Sequence, residues 1–168
     1  MGAPGEELVD LIDEAGQTIG VVTRRQMRDQ RLPHRCVYLL VFNHRGHLLV
    51  HQRTPIKDVF PSYWDVTAGG VLAAGESFEE GARREGLEEL GVEVEPEPLF
   101  PFRYADERTI VQAMVYKVVH DGPFTFQLSE IVQGFFVPWP QVADMIASRL
   151  FCPDGLAVLR SYSQEYLS

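Results

Sequence analysis

The chain has 168 residues, the length of one domain with a sizeable core, and its 45% hydrophobic and 23% charged content is ordinary for a globular protein. No apolar run approaches the roughly 20 residues that span a bilayer, so a membrane protein is not expected. The formal net charge of −9 argues against binding of a long nucleic acid, because proteins that grip nucleic acids usually carry a basic face. Cys36 and Cys152 lie far apart and outside any Cys-x-x-Cys spacing. We therefore expect free thiols in a reducing cytoplasm, with neither a disulfide framework nor a zinc site.

The first half of the chain predicts short strands joined by turns. The segment LVDLIDEAGQTIGVV reads as two strands that meet at residues 14–16, and Thr23 can cap a short helix ending near Gln30. The near-continuous apolar run at 36–43 predicts a strand covered on both faces. A turn follows it, and HLLVHQR is expected to return as its hairpin partner.

The second half predicts strands followed by helices. After a proline-containing loop, residues 63–68 read as one short strand that leads to a pair of glycines. Longer strands are predicted at 109–120 and 131–137. Two helices are expected at the end of the chain, one over 140–150 and one after residue 155.

No internal repeat, low-complexity tract or linker divides the chain. We therefore expect a single domain over residues 1–168, in which residues 1–7 form a flexible tail. The mixture of strands and helices predicts an α/β fold with helices on both faces of a mixed sheet.

The stretch at 70–92, GVLAAGESFEEGARREGLEELGV, contains a helix whose two ends are recognisable. Ser77 and Glu80 have the spacing of a capping box, in which each side chain accepts a hydrogen bond from a free backbone N–H at the helix start. Gly91 suits the left-handed turn that commonly follows a helix end. A helix is therefore predicted from about Ser77 to Leu90.

Three glutamates on this helix, Glu85, Glu88 and Glu89, project from one side because of their spacing. Like charges at this spacing destabilise a helix, so the cluster favours a cation or a basic partner. Carboxylates beside loop carbonyls are hard oxygen ligands of the kind that hold Mg²⁺ or Mn²⁺. The alternative is an acidic helix face that contacts only water.

The same stretch resembles the Nudix box, G-x5-E-x7-R-E-U-x-E-E-x-G-U, in which U is a bulky aliphatic residue. The matching positions are Gly70, Glu76, Arg84, Glu85, Glu88, Glu89, Gly91 and Val92. The one departure is Gly86, where an aliphatic residue or alanine is usual, and it puts the packing of the helix on its sheet in question. The resemblance implies an α/β/α sandwich with a loop–helix–loop metal motif.

Nudix enzymes hydrolyse a nucleoside diphosphate linked to another moiety, by attack of water on phosphorus with divalent ions. The family pattern makes Glu85 and Glu89 the first-choice ligands of Mg²⁺ or Mn²⁺, with Glu88 next and the Gly70 carbonyl completing the shell. Arg84 is expected to point away from these ligands, elsewhere on the helix, and the family pattern implies that it forms a structural ion pair with Glu76.

The general base is an open choice, because Nudix enzymes take it from different places. Glu88 or Glu89 could serve, and so could Glu130, which comes just before the predicted strand at 131–137. For Glu130 the alternative is an exposed residue at the entry to a strand. The base must lie within hydrogen-bond reach of the attacking water.

Outside the box, residues 32–70 resemble Nudix proteins close to isopentenyl diphosphate isomerase. In the isomerases, the basic pair that matches Arg53 and Lys57 contacts the substrate diphosphate, and Arg and Lys suit phosphate oxygens. A charged loop at the sheet edge is the alternative for this pair.

An isomerase is the rival function that this branch raises. It needs a cysteine where this chain has Ala68, and it holds its metal with three histidines and two glutamates. Only His34 matches one of those ligands; the other positions are Met27, Gly70, Gln112 and Met114. A third possibility, a non-catalytic nucleotide sensor, would be expected to lose box carboxylates, and this chain has kept them.

We therefore expect a pyrophosphohydrolase that acts on a nucleoside di- or triphosphate or on a nucleoside-diphosphate derivative. Its partner would be a small phosphorylated metabolite or nucleotide, with no membrane and no long nucleic acid. Five arginines between residues 24 and 35 suit either one small phosphorylated ligand or an ordinary surface helix. A homodimer is possible, as the commonest oligomer in general.

Overall fold

The computed structural model of the chain describes residues 4–167, which contain nine strands and four α-helices. The strands are β1 (Leu8–Ile12), β2 (Thr18–Thr23), β3 (His34–Phe42), β4 (Leu48–Arg53), β5 (Trp64–Asp65), β6 (Ala68–Val71), β7 (Glu97–Ala105), β8 (Ile110–Val119) and β9 (Ile131–Val137). The helices are α1 (Arg24–Asp29), α2 (Phe78–Leu90), α3 (Trp139–Ser148) and α4 (Pro153–Tyr166). Pro153 is thus the first residue of the last helix, which begins earlier than predicted, because proline is tolerated in a first helical turn.

Seven of the strands form one mixed sheet, as predicted. Its main order is β5-β4-β3-β8-β7, with β6 paired to β3 and β9 paired to β4, while β1 and β2 form a separate antiparallel ribbon. β3 and β8 run parallel, from His34 opposite Val111 to Phe42 opposite Val119. Because β3 is central and covered on both faces, all but one of its residues are buried.

The two faces of the sheet carry different helices, which confirms the α/β/α arrangement. Along β3, Tyr38 and Leu40 belong to a core cluster that includes residues of α3 and α4. Leu39 and Val41 belong to a second cluster that includes Ala82 and Leu90 of α2. The alternation follows from the two-residue period of a strand.

β3 and β4 separate soon after the turn that joins them. In the described part of the chain, their pairing is confined to Phe42 opposite Leu48. Beyond that point β3 pairs with β6, whereas β4 pairs with β5 and β9. The predicted hairpin is therefore wrong beyond its first pair, because each strand finds a more distant partner. The gap between them becomes the main cavity.

The chain crosses this gap where one strand was predicted at 63–68. β5 pairs with β4 and β6 pairs with β3, so the single predicted strand is in fact two. The Asp65 side chain stabilises the crossing, since its Oδ1 accepts hydrogen bonds from the backbone N–H groups of Val66 at 2.8 Å and Thr67 at 3.1 Å. Because the carboxylate accepts from these two buried backbone N–H groups, they need no hydrogen-bond partner on a neighbouring strand.

The predicted tail is folded where the structure describes it. Pro4–Glu6 form a short 3₁₀ helix, and the Glu7 carbonyl accepts a hydrogen bond from the Arg24 N–H at 2.7 Å. Residues 1–3 lie outside the described part, and the flexibility of the segment stays a prediction. Within residues 4–167, no helix has the length and apolar character needed to cross a membrane.

Helix α2 has both of its predicted ends. Ser77 is the N-cap, with both hydrogen bonds of the capping box to Glu80, and Gly91 ends the helix with a φ of 69°. The unusual Gly86 is buried against Val94: a Cβ at residue 86 would lie 2.7 Å from Val94 Cγ2. A valine from the following segment therefore fills the space that a larger residue of the helix would take, and the packing on the sheet is preserved.

Candidate functional site

A cavity of about 590 Å³ lies where β3 and β4 separate. It contains five of the residues that the sequence singled out, namely Gly70, Glu89, Glu130, Arg53 and Lys57. The basic segment reaches it as well, since Arg24, Arg28 and Arg31 line it. A second cavity of about 440 Å³ lies between Phe42 and Trp139 and contains none of the predicted site residues.

Glu85 and Glu89 form a buried carboxyl pair at one end of the site. Their exposed fractions are 8% and 9%, and their side chains are joined by a hydrogen bond. Burial raises the pKa of both carboxyls, and the charge of Glu85 raises that of Glu89 further. Two carboxyl groups joined in this way share a proton unless a cation takes its place.

The glycine pair before α2 supplies the backbone of this site. The Gly69 N–H donates a hydrogen bond to the Glu89 carboxyl group. A Cβ at Gly70 would lie 2.7 Å from Glu85 Oε1, so a side chain there would fill the space beside that carboxyl group. The candidate metal ligands beside Gly70 are carboxylate oxygens and the predicted Gly70 carbonyl oxygen. A set of oxygen ligands of this kind fits Mg²⁺ or Mn²⁺.

Glu88 does not join the buried pair. Its side chain is 50% exposed and forms an ion pair with Arg84 at 3.1 Å. Among residues 4–167, no three acidic, histidine or cysteine side chains converge as a metal site. The structure thus brings together two of the three predicted carboxylate ligands, because α2 turns Glu88 towards solvent and the other two towards the sheet.

The predicted ion pair between Arg84 and Glu76 is present. Arg84 Nε lies 2.7 Å from Glu76 Oε2 and its Nη2 lies 2.9 Å from Oε1, a two-point contact. Its remaining nitrogen donates to Glu85 Oε1 at 2.9 Å. The sequence interpretation placed Arg84 away from the site, and that is wrong, since one guanidinium connects the motif loop to a buried carboxyl group.

The other predicted residues meet on the opposite wall. Lys57 Nζ forms an ion pair with Glu130, and the charge of Glu130 is close enough to raise the pKa of Glu89. Arg53 lines the cavity but donates to the backbone carbonyls of Val59 at 2.9 Å and Phe60 at 3.2 Å. Arg53 therefore holds the loop between β4 and β5, and Lys57 neutralises the loop carboxylate.

Several polar residues of the cavity were missed by the sequence interpretation. They are Tyr38, His51, Asp65 and Asp154. Burial, and next the charge of Asp154, raise the pKa of Asp65 to about 7, while burial lowers the pKa of His51 to about 4. The sequence gives only a weak signal for these residues. His51 and Asp65 are polar residues within apolar strands, but their spacing along the chain does not indicate that they lie close together.

Of the positions that hold the isomerase metal, Met27, His34 and Gly70 line the cavity, whereas Gln112 and Met114 do not. His34 lines the cavity, and its Nδ1 must donate to the Leu32 carbonyl 2.9 Å away. The Gln112 side chain instead donates to the Glu14 carbonyl of the β1–β2 turn at 3.1 Å. Cys36 and Cys152 are both buried free cysteines, and burial raises the pKa of each thiol.

Residues 32–152 match the family model of the NUDIX domain. The chain belongs to the Nudix family. An uncharacterized Nudix hydrolase of Yersinia pestis is 39% identical over 168 residues, covering 95% of this chain and 90% of that protein. The family membership inferred from the box is thus confirmed, while the closeness to the isomerase branch stays a prediction.

Solved structures share the fold of this Nudix chain. A crystal structure of a Deinococcus radiodurans protein has a TM-score of 0.78 at 28% identity and covers 92% of this chain and 98% of its own. The Nudix domain of Shewanella oneidensis NrtR, solved with ADP-ribose, has a TM-score of 0.62 at 20% identity and covers 80% and 88%. The second likeness is one of fold alone.

Proposed function

We propose that this Nudix hydrolase cleaves the diphosphate linkage of a nucleoside di- or triphosphate, or of a nucleoside-diphosphate derivative, by attack of water on phosphorus. Mg²⁺ or Mn²⁺ would be held by Glu85 and Glu89 together with the Gly70 carbonyl. The observation that carries the proposal is the buried, hydrogen-bonded carboxyl pair, of which Glu89 lines the cavity. The Nudix fold of NrtR binds ADP-ribose, which supports a nucleotide-derived ligand.

Charge explains why the pair would need a cation. A diphosphate is densely negative and would be repelled by bare glutamates. A divalent ion, when bound, neutralises the diphosphate, polarises phosphorus and lowers the pKa of a coordinated water. Glu85 and Glu89 would give up their shared proton on binding it, because metal-ligating carboxylates must be ionised.

The neighbouring residues would position these groups. Arg84 fixes one oxygen of Glu85, and the Gly69 N–H fixes the carboxyl group of Glu89, so neither side chain needs to reorganise when the ligand arrives. Lys57 offers an ammonium group to the phosphate oxygens. Glu130 beside it is the base candidate that faces the cavity, and Glu88 is better suited to holding Arg84.

The decisive experiment removes the metal-binding charge without changing side-chain size. With Mn²⁺ present, phosphate or nucleotide release from a panel of nucleoside diphosphates, triphosphates and diphosphate derivatives should fall at least 100-fold, a loss of about 2.7 kcal/mol, in Glu85→Gln and in Glu89→Gln. Glu93→Gln is the matched control, since this exposed glutamate lies outside the cavity. Glu88→Gln should lose less than either variant of the buried pair.

Full turnover by Glu85→Gln and Glu89→Gln would remove both residues from the metal shell. Cleavage of no diphosphate by the unmodified protein would favour the alternatives of an isomerase-like enzyme or a nucleotide sensor. The cytoplasmic location, the possible homodimer and the absence of long nucleic acids and membranes among the partners stay predictions.

A further inference from the structure

The cavity also contains a histidine side chain that forms no hydrogen bond within the described part of the protein. His51 is only 4% exposed, and it lines the cavity. No hydrogen bond reaches either of its ring nitrogens from any residue in the described range 4–167. A neutral imidazole has one donor and one acceptor. Within residues 4–167 no fully buried side-chain nitrogen or oxygen lacks a hydrogen-bond partner, so the unpaired ring nitrogens of His51 are open to the cavity. His51 is therefore placed for a partner from outside the chain.

Two carboxyl groups, those of Asp65 and Asp154, line the same cavity as this imidazole. His51 and Asp65 are direct neighbours across β4 and β5, an arrangement that brings side chains to within about 5 Å of each other on one face of a sheet. Asp154 comes from the first turn of α4, and its Oδ2 accepts a hydrogen bond from the Tyr38 hydroxyl at 3.0 Å. A Cβ at Gly155 would lie 2.0 Å from Asp65 Oδ1, so this close approach of α4 requires glycine.

We propose that His51, Asp65 and Asp154 form a subsite for a neutral, hydroxyl-bearing group of the substrate, the sugar ring attached to the diphosphate. The proposal rests on the proposed function, in which the diphosphate lies beside Glu85 and Glu89. Carboxyl oxygens accept hydrogen bonds from hydroxyl groups, and the unpaired imidazole can either donate or accept one.

Charge selects a neutral group at this position. A second phosphate would be repelled by the charge of Asp154 and by Asp65 where it is ionised. A cationic group would be disfavoured by Arg53, whose charge acts on both Asp65 and His51. Arg24 and Arg28, which also line the cavity, add to this positive charge. A sugar ring presents several hydroxyl groups without a charge.

The two ends of the cavity lie within reach of one ligand. Asp65 precedes Gly69 by four residues, and four extended residues span at most about 14 Å. Gly69 in turn contacts the Glu89 carboxyl group through its N–H. A diphosphate with one attached sugar ring can bridge this separation.

The test compares ligands that differ only in their hydroxyl groups. The first pair, uridine diphosphate glucose and uridine diphosphate methyl ester, tests a sugar on the far side of the diphosphate. The second pair, a nucleoside diphosphate and its 2′,3′-dideoxy form, tests the ribose of the nucleoside. Binding is measured by calorimetry with Mn²⁺, and turnover is measured separately. In at least one pair, the hydroxyl-bearing member should bind fivefold to tenfold more tightly, as expected for one net hydrogen bond.

The matched variants are His51→Leu and His47→Leu, since His47 lies just before the same strand and outside the cavity. His51→Leu should abolish the preference for the hydroxyl-bearing member, leave affinity for the other member within twofold, and not lower the Tm, because no internal hydrogen bond is lost. Asp154→Asn should reduce the same preference, and His47→Leu should retain it.

Equal affinities within both pairs for the unmodified protein, or an unchanged preference in both His51→Leu and Asp154→Asn, would overturn the subsite. The binding preference without cleavage of any ligand would instead remove the hydrolase and leave the subsite standing. Cleavage of both members of each pair, with equal affinities within the pair, would support the hydrolase and remove the subsite.

Discussion

The polar residues of the cavity are individually unfavourable for folding, which is why their positions are informative about function. Burial raises the pKa values of Glu85, Glu89 and Asp65, and it lowers that of His51. In each case burial disfavours the charged form. Arg84 and the Gly69 N–H compensate part of this cost for the glutamates, and the Thr67 N–H does so for Asp65. The remaining cost is consistent with groups that are completed by a ligand.

Asp65 should make the stability of the protein fall as the pH rises. Its pKa is raised from 3.8 to about 7 on folding, so the folded state binds more protons than the unfolded state between these pH values. The stabilisation from its protonated form is complete below pH 4 and is lost as the pH approaches 7. Asp65→Asn, which retains the oxygen that accepts from Val66 and Thr67, should lack this dependence.

Urea unfolding of the unmodified protein and of Asp65→Asn at several pH values from 4 to 8 checks this expectation. The free energy of unfolding of the unmodified protein, minus that of the variant, should decrease across this range. Contributions from His34 and His51 are common to both proteins and cancel in the difference. A difference that stays constant or increases with pH would contradict the raised pKa.

Among the elements, α2 carries both of the proposed carboxylate ligands, and its ends and its packing are fixed in different ways. Its caps are formed by its own residues, Ser77 at the start and Gly91 at the end. Its packing depends on a residue outside it, because Val94 occupies the space beside Gly86. The position of the carboxyl pair is therefore determined partly by the segment that follows the helix.

The complementarity of Gly86 and Val94 can be tested with a double-mutant cycle. Gly86→Ala improves helix propensity by up to about 1 kcal/mol, but overpacking against Val94 costs about 1–3 kcal/mol, so a net loss is expected. Val94→Ala removes buried methyl groups and should cost roughly 2 kcal/mol. The double variant should lose less than the sum of the two single losses.

Urea unfolding midpoints of the four proteins provide this measurement, and changes in contact typically couple by about 0.5–3 kcal/mol. Additive losses would show that the two positions do not share one space. Each variant should also be assayed for diphosphate cleavage, since a displaced α2 would move Glu85 and Glu89.

At the scale of the whole molecule, the cavity is a gap between two parts of one sheet. One part consists of β6, β3, β8 and β7 and the other of β9, β4 and β5, and they meet where Phe42 lies opposite Leu48. Two side-chain contacts join segments that line the cavity. The Arg28 guanidinium lies 3.4 Å from Asp58, and the Arg108 guanidinium lies 4.8 Å from the centre of the Phe60 ring. A ligand in the cavity would contact both parts of the sheet.

Divalent ions should therefore stabilise the whole chain. At 100 times its Kd, an ion that binds only the folded state adds about 2.7 kcal/mol, which corresponds to a rise in Tm of about 5–10 °C for a protein of this size. Differential scanning calorimetry with Mn²⁺ or Mg²⁺ should show this rise for the unmodified protein and for Glu93→Gln. A rise of the same size in Glu85→Gln and Glu89→Gln would place the ion elsewhere.

Features that depend on neighbouring residues could be predicted from the amino-acid sequence. The ends of α2, the capped α1, the buried character of β3 and the strand β9 all follow from spacings of a few residues, and the box placed Glu85 and Glu89 on one helix side. The ion pair of Arg84 with Glu76 also lies within the box, and the structure contains it. Such features are set by local backbone geometry and are accessible without tertiary contacts.

How distant segments of the chain meet could not be predicted and is seen in the folded structure. The separation of β3 from β4, the crossing between β5 and β6, and the third contact of Arg84 depend on which partners lie nearby after folding. The same holds for His51, Asp65 and Asp154, which come from two strands and a helix start far apart in the chain. Their spacing in the sequence carries no period, because burial and hydrogen bonding act on distances in space.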